Sequence, residues 1–282
     1  MYFGGYRIEI VPDSEFRLDG GAMFGVVPRV LWERVSTPDE QNRIRMNMNC
    51  LFVETPSEKV LVETGIGEKW SEQHAERFGI MRERPFAESL RSITGCGPDE
   101  ITIVVNTHLH SDHAGGNTIN EPLTGKAVPQ FRNARYLVSK SEFEAAENPT
   151  DRDRASYLAE NWRPVVESGQ LELMPDEYEV VEGLRMEQVR GHSATMQTVR
   201  LERGGETLFG FADLIPTTAH LPYPWIMAYD LFPTETLAAK KCLLPQAVRE
   251  NWTCLFYHEF GEPLRRLTEE NGKVVPRPIR FG

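Results

Sequence analysis

Sulfur ligands are scarce in this chain. The four cysteines, Cys50, Cys96, Cys242 and Cys254, are widely scattered and never form a CxxC pair, so a cysteine zinc site is not expected. At 282 residues the chain needs no disulfide staple, and the four read as free thiols of a reducing compartment. No apolar stretch approaches the ~20 residues of a membrane span. The opening "MYFGGYRIEIVP" lacks a basic segment followed by an apolar one, so no secretory signal is visible and the expected location is the cytoplasm. Basic charge is also in deficit. Thirty-one Lys and Arg stand against 42 Asp and Glu, for a net charge of −11, which argues against nucleic acid as a partner. There is no low-complexity segment, no repeat and no Gly/Ser linker. One domain over residues 1–282 is therefore the expectation, at a length that large layered α/β domains reach.

Short β-branched runs are plentiful. "YRIEIV", "CLFVE" and "KVLVETG" read as strands, with the glycine-rich "LDGGAMFGVVP" as a loop between them. "PFAESLRSI" has helical apolar spacing. "ITIVVNT" is a strand covered on both faces. "ARYLVSKSEFEAAE" reads as a strand followed by a helix capped near Ser139 or Ser141. "ASYLAENWRPVVESG" reads as another helix, closed by Gly169. Strands return in "LELM" and "EVVEGLRMEQVRG", then in a hairpin around Gly204-Gly205. The stretch 233–251 is helical on both sides of Pro245, "WTCLFYHEF" is a strand, and Asn271-Gly272 marks a last turn. Two halves of strands and helices, packed sheet to sheet, predict a four-layer αββα sandwich of the α/β class.

Histidine is rare too, yet three of the seven crowd into "NTHLHSDHAGGN", residues 106–117. By composition, His-x-His-x-Asp-His arises by chance in roughly one such chain in several thousand. The spacing has a physical sense. His108 and His110 are two apart, so extended backbone points them the same way. Asp112 and His113 follow a turn and point elsewhere, towards a second ion. Imidazole nitrogen and carboxylate oxygen are donors that zinc accepts, and a catalytic zinc keeps one position open. Three later residues could complete two sites. His192 follows a β-like stretch, Asp213 ends a hairpin strand and His258 ends another strand. Singly, each has an ordinary explanation as a loop, turn or buried residue; together with the cluster they point to one sheet edge.

In this order of ligands the chain resembles the metallo-β-lactamase fold superfamily of metal-dependent hydrolases. The resemblance implies that His108, His110 and His192 hold one metal, that Asp112, His113 and His258 hold the other, and that Asp213 bridges them. Across most of the chain it is similar to YtnP-type quorum-quenching lactonases, a group that also resembles methyl parathion hydrolase-like enzymes. The matching stretches are "DGGAMFGVVP" (19–28), "ETGIG" (63–67), "ADLIPTTAH" (212–220), "WIMAYDLFP" (225–233) and "FYHE" (256–259). Two positions depart from the pattern. Met196 stands where the family often has a second histidine after His192. Pro216 stands where neighbouring lactonases have a tyrosine three residues after the bridging aspartate; Tyr223, Tyr229 or His220 is the substitute donor.

The implied cofactors are two divalent transition-metal ions, zinc first, although His/Asp donors also accept iron, manganese, cobalt or nickel. The implied chemistry is the opening of a lactone, such as an N-acyl homoserine lactone, or a related ester. A hydroxide held between the ions is the nucleophile, and Asp112 passes a proton to the leaving oxygen. A phosphotriesterase, a β-lactamase and a non-catalytic binding protein are the alternatives. Thr107, Ser111 and Glu63 are candidates for orienting the imidazoles. Phe24, His220, Tyr223, Trp225, Met227 and Tyr229 are candidates for a substrate wall, in an aromatic and proline-rich loop of the kind that lines apolar pockets. The expected partner is a small molecule. The apolar "AMFGVVPRVLW" offers a surface for a homodimer.

Overall fold

The β-branched runs pair into two sheets. The computed structural model describes residues 1–279. Strands β1 (Tyr2–Phe3), β2 (Tyr6–Asp19), β3 (Arg43–Glu54), β4 (Lys59–Val62) and β5 (Ile103–Val105) begin the first sheet. β6 (Thr118–Asn120) and β7 (Ala127–Pro129) form a small separate hairpin. β8 (Arg135–Ser139) and β9 (Leu171–Met174) complete the first sheet in the order β1-β2-β3-β4-β5-β8-β9. The second sheet runs in sequence order through β10 (Tyr178–Val181), β11 (Leu184–Gln188), β12 (Gln197–Arg203), β13 (Glu206–Gly210), β14 (Thr253–Leu255), β15 (Leu264–Glu270) and β16 (Lys273–Pro278). The helices are α1 (Gly20–Phe24), α2 (Arg29–Trp32), α3 (Glu72–Arg77), α4 (Phe86–Thr94), α5 (Ser111–Ala114), α6 (Lys140–Glu147), α7 (Arg163–Glu167) and α8 (Pro233–Arg249).

Side-chain alternation with a period of two sorts the strands into layers. Val60, Val62, Ile103 and Val105 enter a core that also holds Met186, Val199, Leu208 and Leu255 of the second sheet. Leu61 and Val104, one position out of phase, turn to the opposite face and meet Phe86 and Leu90 of α4. On the second sheet, Phe209 and Cys254 turn outward onto Leu244 and Ala247 of α8. Helix, sheet, sheet and helix thus stack as the expected αββα sandwich. Among the described residues no helix is long and apolar enough to cross a membrane.

Both hairpin turns form as read. Gly204 and Gly205 have φ of +60° and +78°, Asn271 and Gly272 +51° and +71°, the left-handed pair that a two-residue hairpin requires. Two segments differ from expectation. "LDGGAMFGVVP" contains helix α1, because the Asp19 carboxylate accepts the Ala22 N–H at 2.8 Å and caps its first turn. The single helix expected over 155–169 is broken, and only α7 is α-helical there. Pro164 tolerates only a helix's first turn, and upstream Tyr157 is engaged in a bridge to His110.

The site edge follows from strand direction. β11 and β13 are both antiparallel to β12, and β14 runs parallel to β13. β4, β5, β8 and β9 are parallel in the first sheet. The ends of the sheets are tied together, Gln197 N–H donating to the Thr107 carbonyl and Asn49 N–H to the Tyr257 carbonyl, each at 2.9 Å.

Candidate metal centre and active site

The chain leaves β5 extended and then turns sharply. His110 has φ −61° and ψ 151° and sits just before α5, so His108 and His110 project together while α5 carries Asp112 and His113 to the other side. The turn is held close to the segment "ETGIG". A Cβ on Gly115 would lie 2.1 Å from the Ile66 carbonyl oxygen, and one on Gly116 2.1 Å from that of Thr64, so neither position admits a side chain. His192 follows β11, Asp213 sits in a short 3₁₀ turn after β13, and His258 follows β14. Ala212 and Glu63 both have positive φ, +48° and +66°. Such strain persists only where the surroundings enforce it.

All seven predicted ligands converge. His110 Nδ1 lies 3.1 Å from His192 Nε2. The Asp213 carboxylate is divided between two groups. Its Oδ2 is 3.5 Å from His192 Nε2 and 4.0 Å from His108 Nε2; its Oδ1 is 2.9 Å from His258 Nε2 and 3.1 Å from His113 Nε2. Asp112 Oδ2 joins the second group, 3.5 Å from His258 Nε2. Within His108/His110/His192, and within Asp112/His113/Asp213/His258, the donor atoms lie within 4.8 Å of one another.

These residues fit divalent cations. His108 Nε2, His113 Nε2 and Asp213 Oδ1 are buried without a hydrogen-bond partner, although buried polar atoms are normally satisfied. Ligand bonds of about 2.0–2.2 Å from a common centre account for such spacing. The local electrostatics agree. Burial and the neighbouring imidazoles push His108 and His110 well below the ordinary histidine pKa, leaving lone pairs free to bind metal. Burial opposes ionisation of Asp213, but His258, His113 and His192 hold its carboxyl well below the usual range. For His113 burial is outweighed by Asp213, Asp112 and Glu63, which raise its pKa.

Neighbours orient the imidazoles. The Thr107 hydroxyl is 3.0 Å from His108 Nδ1. Glu63 Oε1 lies 3.3 Å from His113 Nδ1 and accepts the Thr107 N–H at 3.1 Å. Glu63 also comes within 4.8 Å of donor atoms of His108 and His113, but these bonds place it behind His113 as a support. Ser111 reaches no imidazole; it lines the cavity, and its N–H donates to the Ser156 carbonyl at 2.8 Å. Sequence reasoning missed Asp230, whose Oδ1 is 3.1 Å from His192 Nδ1. It also missed Glu142 and Tyr157, whose ring packs edge-on against His110 at 4.7 Å. Asp230 lies in "WIMAYDLFP", and no spacing rule ties it to a histidine 38 residues away.

A cavity of about 940 Å³ opens over the cluster and reaches His110, Asp112, His192, Asp213 and His258. Phe16, Leu18, Met23, Ile66, Trp70 and Phe78 give it an apolar side. Of the expected wall residues, Met227 and Tyr229 line it. Phe24 and His220 are fully buried behind the wall, stacked with ring centroids 4.7 Å apart, and Trp225 packs edge-on against Phe24. His220 is bound on both nitrogens, to the Thr217 hydroxyl and the Met23 carbonyl. Tyr223 packs beside the core under α8.

Comparison with known proteins agrees with this geometry. The Metallo-beta-lactamase superfamily profile matches residues 44–119. The curated relatives include an N-acyl homoserine lactonase of Bacillus cereus, 29% identical over 178 residues, which are 59% of this chain and 63% of that one. A Bacillus thuringiensis N-acyl homoserine lactonase is 27% identical over 162 residues, 54% and 57% of the two chains. The aligned region thus spans about three fifths of the curated relatives' length. Among solved structures, a probable metal-dependent hydrolase from Staphylococcus aureus superposes with a TM-score of 0.88 at 29% identity, covering all of both chains. AidC, described as a dizinc quorum-quenching lactonase in complex with its product, superposes with a TM-score of 0.80 at 20% identity, covering 100% of this chain and 97% of that one. The chain is a metallo-β-lactamase-fold protein. The proteins it resembles over part or all of its length include lactonases.

Proposed function

We propose that this chain is a dinuclear metal-dependent hydrolase that opens lactones, N-acyl homoserine lactones before other esters. The carrying observation is the division of Asp213, one oxygen towards His192 and His108 and the other towards His258 and His113. A single carboxylate so placed is suited to bridging two cations. His108, His110 and His192 would hold one ion, and Asp112, His113 and His258 the other. When bound, such ions supply Lewis acidity and lower the pKa of water from 15.7 to about 7; zinc is the first candidate.

The protein's own groups then have distinct tasks. Asp213 and the histidines fix the charges. Asp112, at the cavity floor with its side chain partly open, is placed to carry a proton to the leaving oxygen. Tyr229 is the substitute for the tyrosine donor of neighbouring lactonases. It lines the cavity, whereas His220 has both nitrogens occupied and Tyr223 faces the core. Burial, with Asp19 and Asp112 nearby, pushes its phenol up to about 12, so it stays protonated as a hydrogen-bond donor. The apolar side at Leu18, Trp70 and Phe78 is suited to an acyl chain. The relatives' activity on N-acyl homoserine lactones points the same way.

The test is a panel of lactones of varied acyl length on metal-replete protein, assayed beside a phosphotriester and a cephalosporin. Lactone hydrolysis that exceeds the other two is the expected result; preference for the phosphotriester or cephalosporin would move the assignment within the same site. We also read residues 1–282 as one domain and the exposed Val26, Val30 and Leu31 as a contact between two copies, which light scattering showing a monomer would reject.

A further inference from the structure

We propose that Glu142 is a positioning residue that sets His110 against His192 by tying together the two loops that carry them. It belongs to neither ligand group and does not line the cavity. The inference rests on the assignment of His110 and His192 to one cation.

The two histidines come from different sheets. His110 follows β5 of the first and His192 follows β11 of the second, 82 positions later. No backbone hydrogen bond or strand pairing joins the two residues directly, yet the nitrogens face each other at 3.1 Å. The Gln197 N–H bond to the Thr107 carbonyl joins the bases of these loops, and nearer the histidines Glu142 touches both. Its Oε1 accepts the N–H of Leu109 at 2.7 Å, the residue between His108 and His110. The same oxygen accepts the hydroxyl of Tyr157 at 3.1 Å, whose ring rests on His110. Its Oε2 accepts the hydroxyl of Thr195, three residues beyond His192. The side chain is 1% exposed and forms no ion pair among the described residues.

Glu142 is itself anchored. It occupies the first turn of α6, where its N–H donates to the capping Ser139 hydroxyl, and the helix dipole favours a carboxylate there. α6 rests on the first sheet through Val138 and Ala146, in the cluster that holds Leu109, Tyr157 and Trp162. The carboxylate is therefore a fixed point against which both ligand loops are measured. Its value lies in shape and acceptor placement rather than in charge, since no cation accompanies it. Glutamine can keep all three contacts: its carbonyl accepts from Leu109 and Tyr157, and its amide donates to the Thr195 hydroxyl.

The test follows release of the two ions from zinc-loaded protein to a colorimetric chelator, for wild type, Glu142→Gln, Glu142→Ala and Thr195→Val. Circular dichroism and Tm report on the fold. In Glu142→Ala one ion is expected to leave at least ten-fold faster and the other at the wild-type rate. Supports behind metal ligands typically change affinity 10–100-fold. Glu142→Gln should stay within about threefold of wild type, and Thr195→Val should lie between. Should Glu142→Ala fail to fold, Thr195→Val decides the question. Wild-type release of both ions from Thr195→Val or a folded Glu142→Ala, equal acceleration of both, or a Glu142→Gln as defective as Glu142→Ala would overturn the proposal. Wild-type protein that holds fewer than two ions would instead overturn the dinuclear assignment, and this inference with it.

Discussion

His192 Nδ1 lies 3.1 Å from Asp230 Oδ1, and the other oxygen of that carboxylate accepts the Thr236 hydroxyl at 2.7 Å. Helix α8 thus reaches through Thr236 and Asp230 to fix the ring, leaving Nε2 turned towards Asp213 and His110. A carboxylate beside Nδ1 favours the tautomer with its proton there, which would leave the Nε2 lone pair for a metal. Asp230→Ala should weaken metal retention 10–100-fold, with Asp230→Asn retaining part of the affinity. Competition against a chelator of known affinity measures both; unchanged retention in Asp230→Ala would remove the residue from the site.

Gly115 presses against the segment "ETGIG" that follows β4, with the Ile66 carbonyl oxygen 2.1 Å from where a Cβ would stand. Backbone cannot yield there as a flexible side chain would. Gly115→Ala is expected to cost more than about 2 kcal/mol, a large effect for one methyl group. It should lower metal occupancy as well, because the same turn carries Asp112 and His113. Denaturant unfolding and metal analysis report the two effects.

Lys240 is fully buried on α8, and its ammonium donates to the carbonyls of His220, Pro222 and Trp225 at 2.6, 2.8 and 2.9 Å. These carbonyls belong to the loop leading into the cavity wall at Met227 and Tyr229. Lys240→Met keeps much of the volume but orphans three acceptors, at about 1–3 kcal/mol for each buried unsatisfied group. We expect Tm to fall by at least about 5 °C and KM to rise more than kcat falls. A stable variant with unaltered KM would show that the loop holds its own shape.

Burial pushes the Glu142 carboxyl up to about 7, against an ordinary value of 4.5, despite hydrogen bonds from Thr195, Leu109 and Tyr157 that oppose the shift. Between these values the folded chain keeps a proton that the unfolded chain has lost. Its contribution to stability is therefore fully present below pH 4.5 and is lost as pH rises to about 7. Glu142→Gln has no such proton. Relative to wild type it should gain up to roughly 3 kcal/mol from pH 4.5 to 8, measured by urea unfolding at matched metal content. A constant difference across that range would contradict the shift.

Much of this architecture was legible because its signals are local. Alternating apolar residues such as Val60, Leu61 and Val62 encode a two-faced strand, and Asn271-Gly272 and Gly204-Gly205 encode turns. The convergence of the seven candidate ligands followed from a rare local cluster and from strand ends that a layered sheet brings to one edge. What stayed hidden depends on long-range packing. Glu142, Tyr157 and Asp230 act across dozens of residues, and nothing in their own neighbourhoods marks them. The aromatic loop pattern cannot tell a side chain that faces a cavity from one stacked behind it, as Phe24 and His220 are. The helix expected over 155–169 breaks because Pro164 fits only a first helical turn, whatever the apolar spacing before it.

The most direct test is a crystal structure of metal-replete protein with anomalous scattering recorded at the metal edge. Two peaks per chain are predicted, one among His108, His110 and His192 and one among Asp112, His113 and His258, each contacted by a different oxygen of Asp213. A single peak, or two peaks that Asp213 does not join, would contradict the dinuclear site.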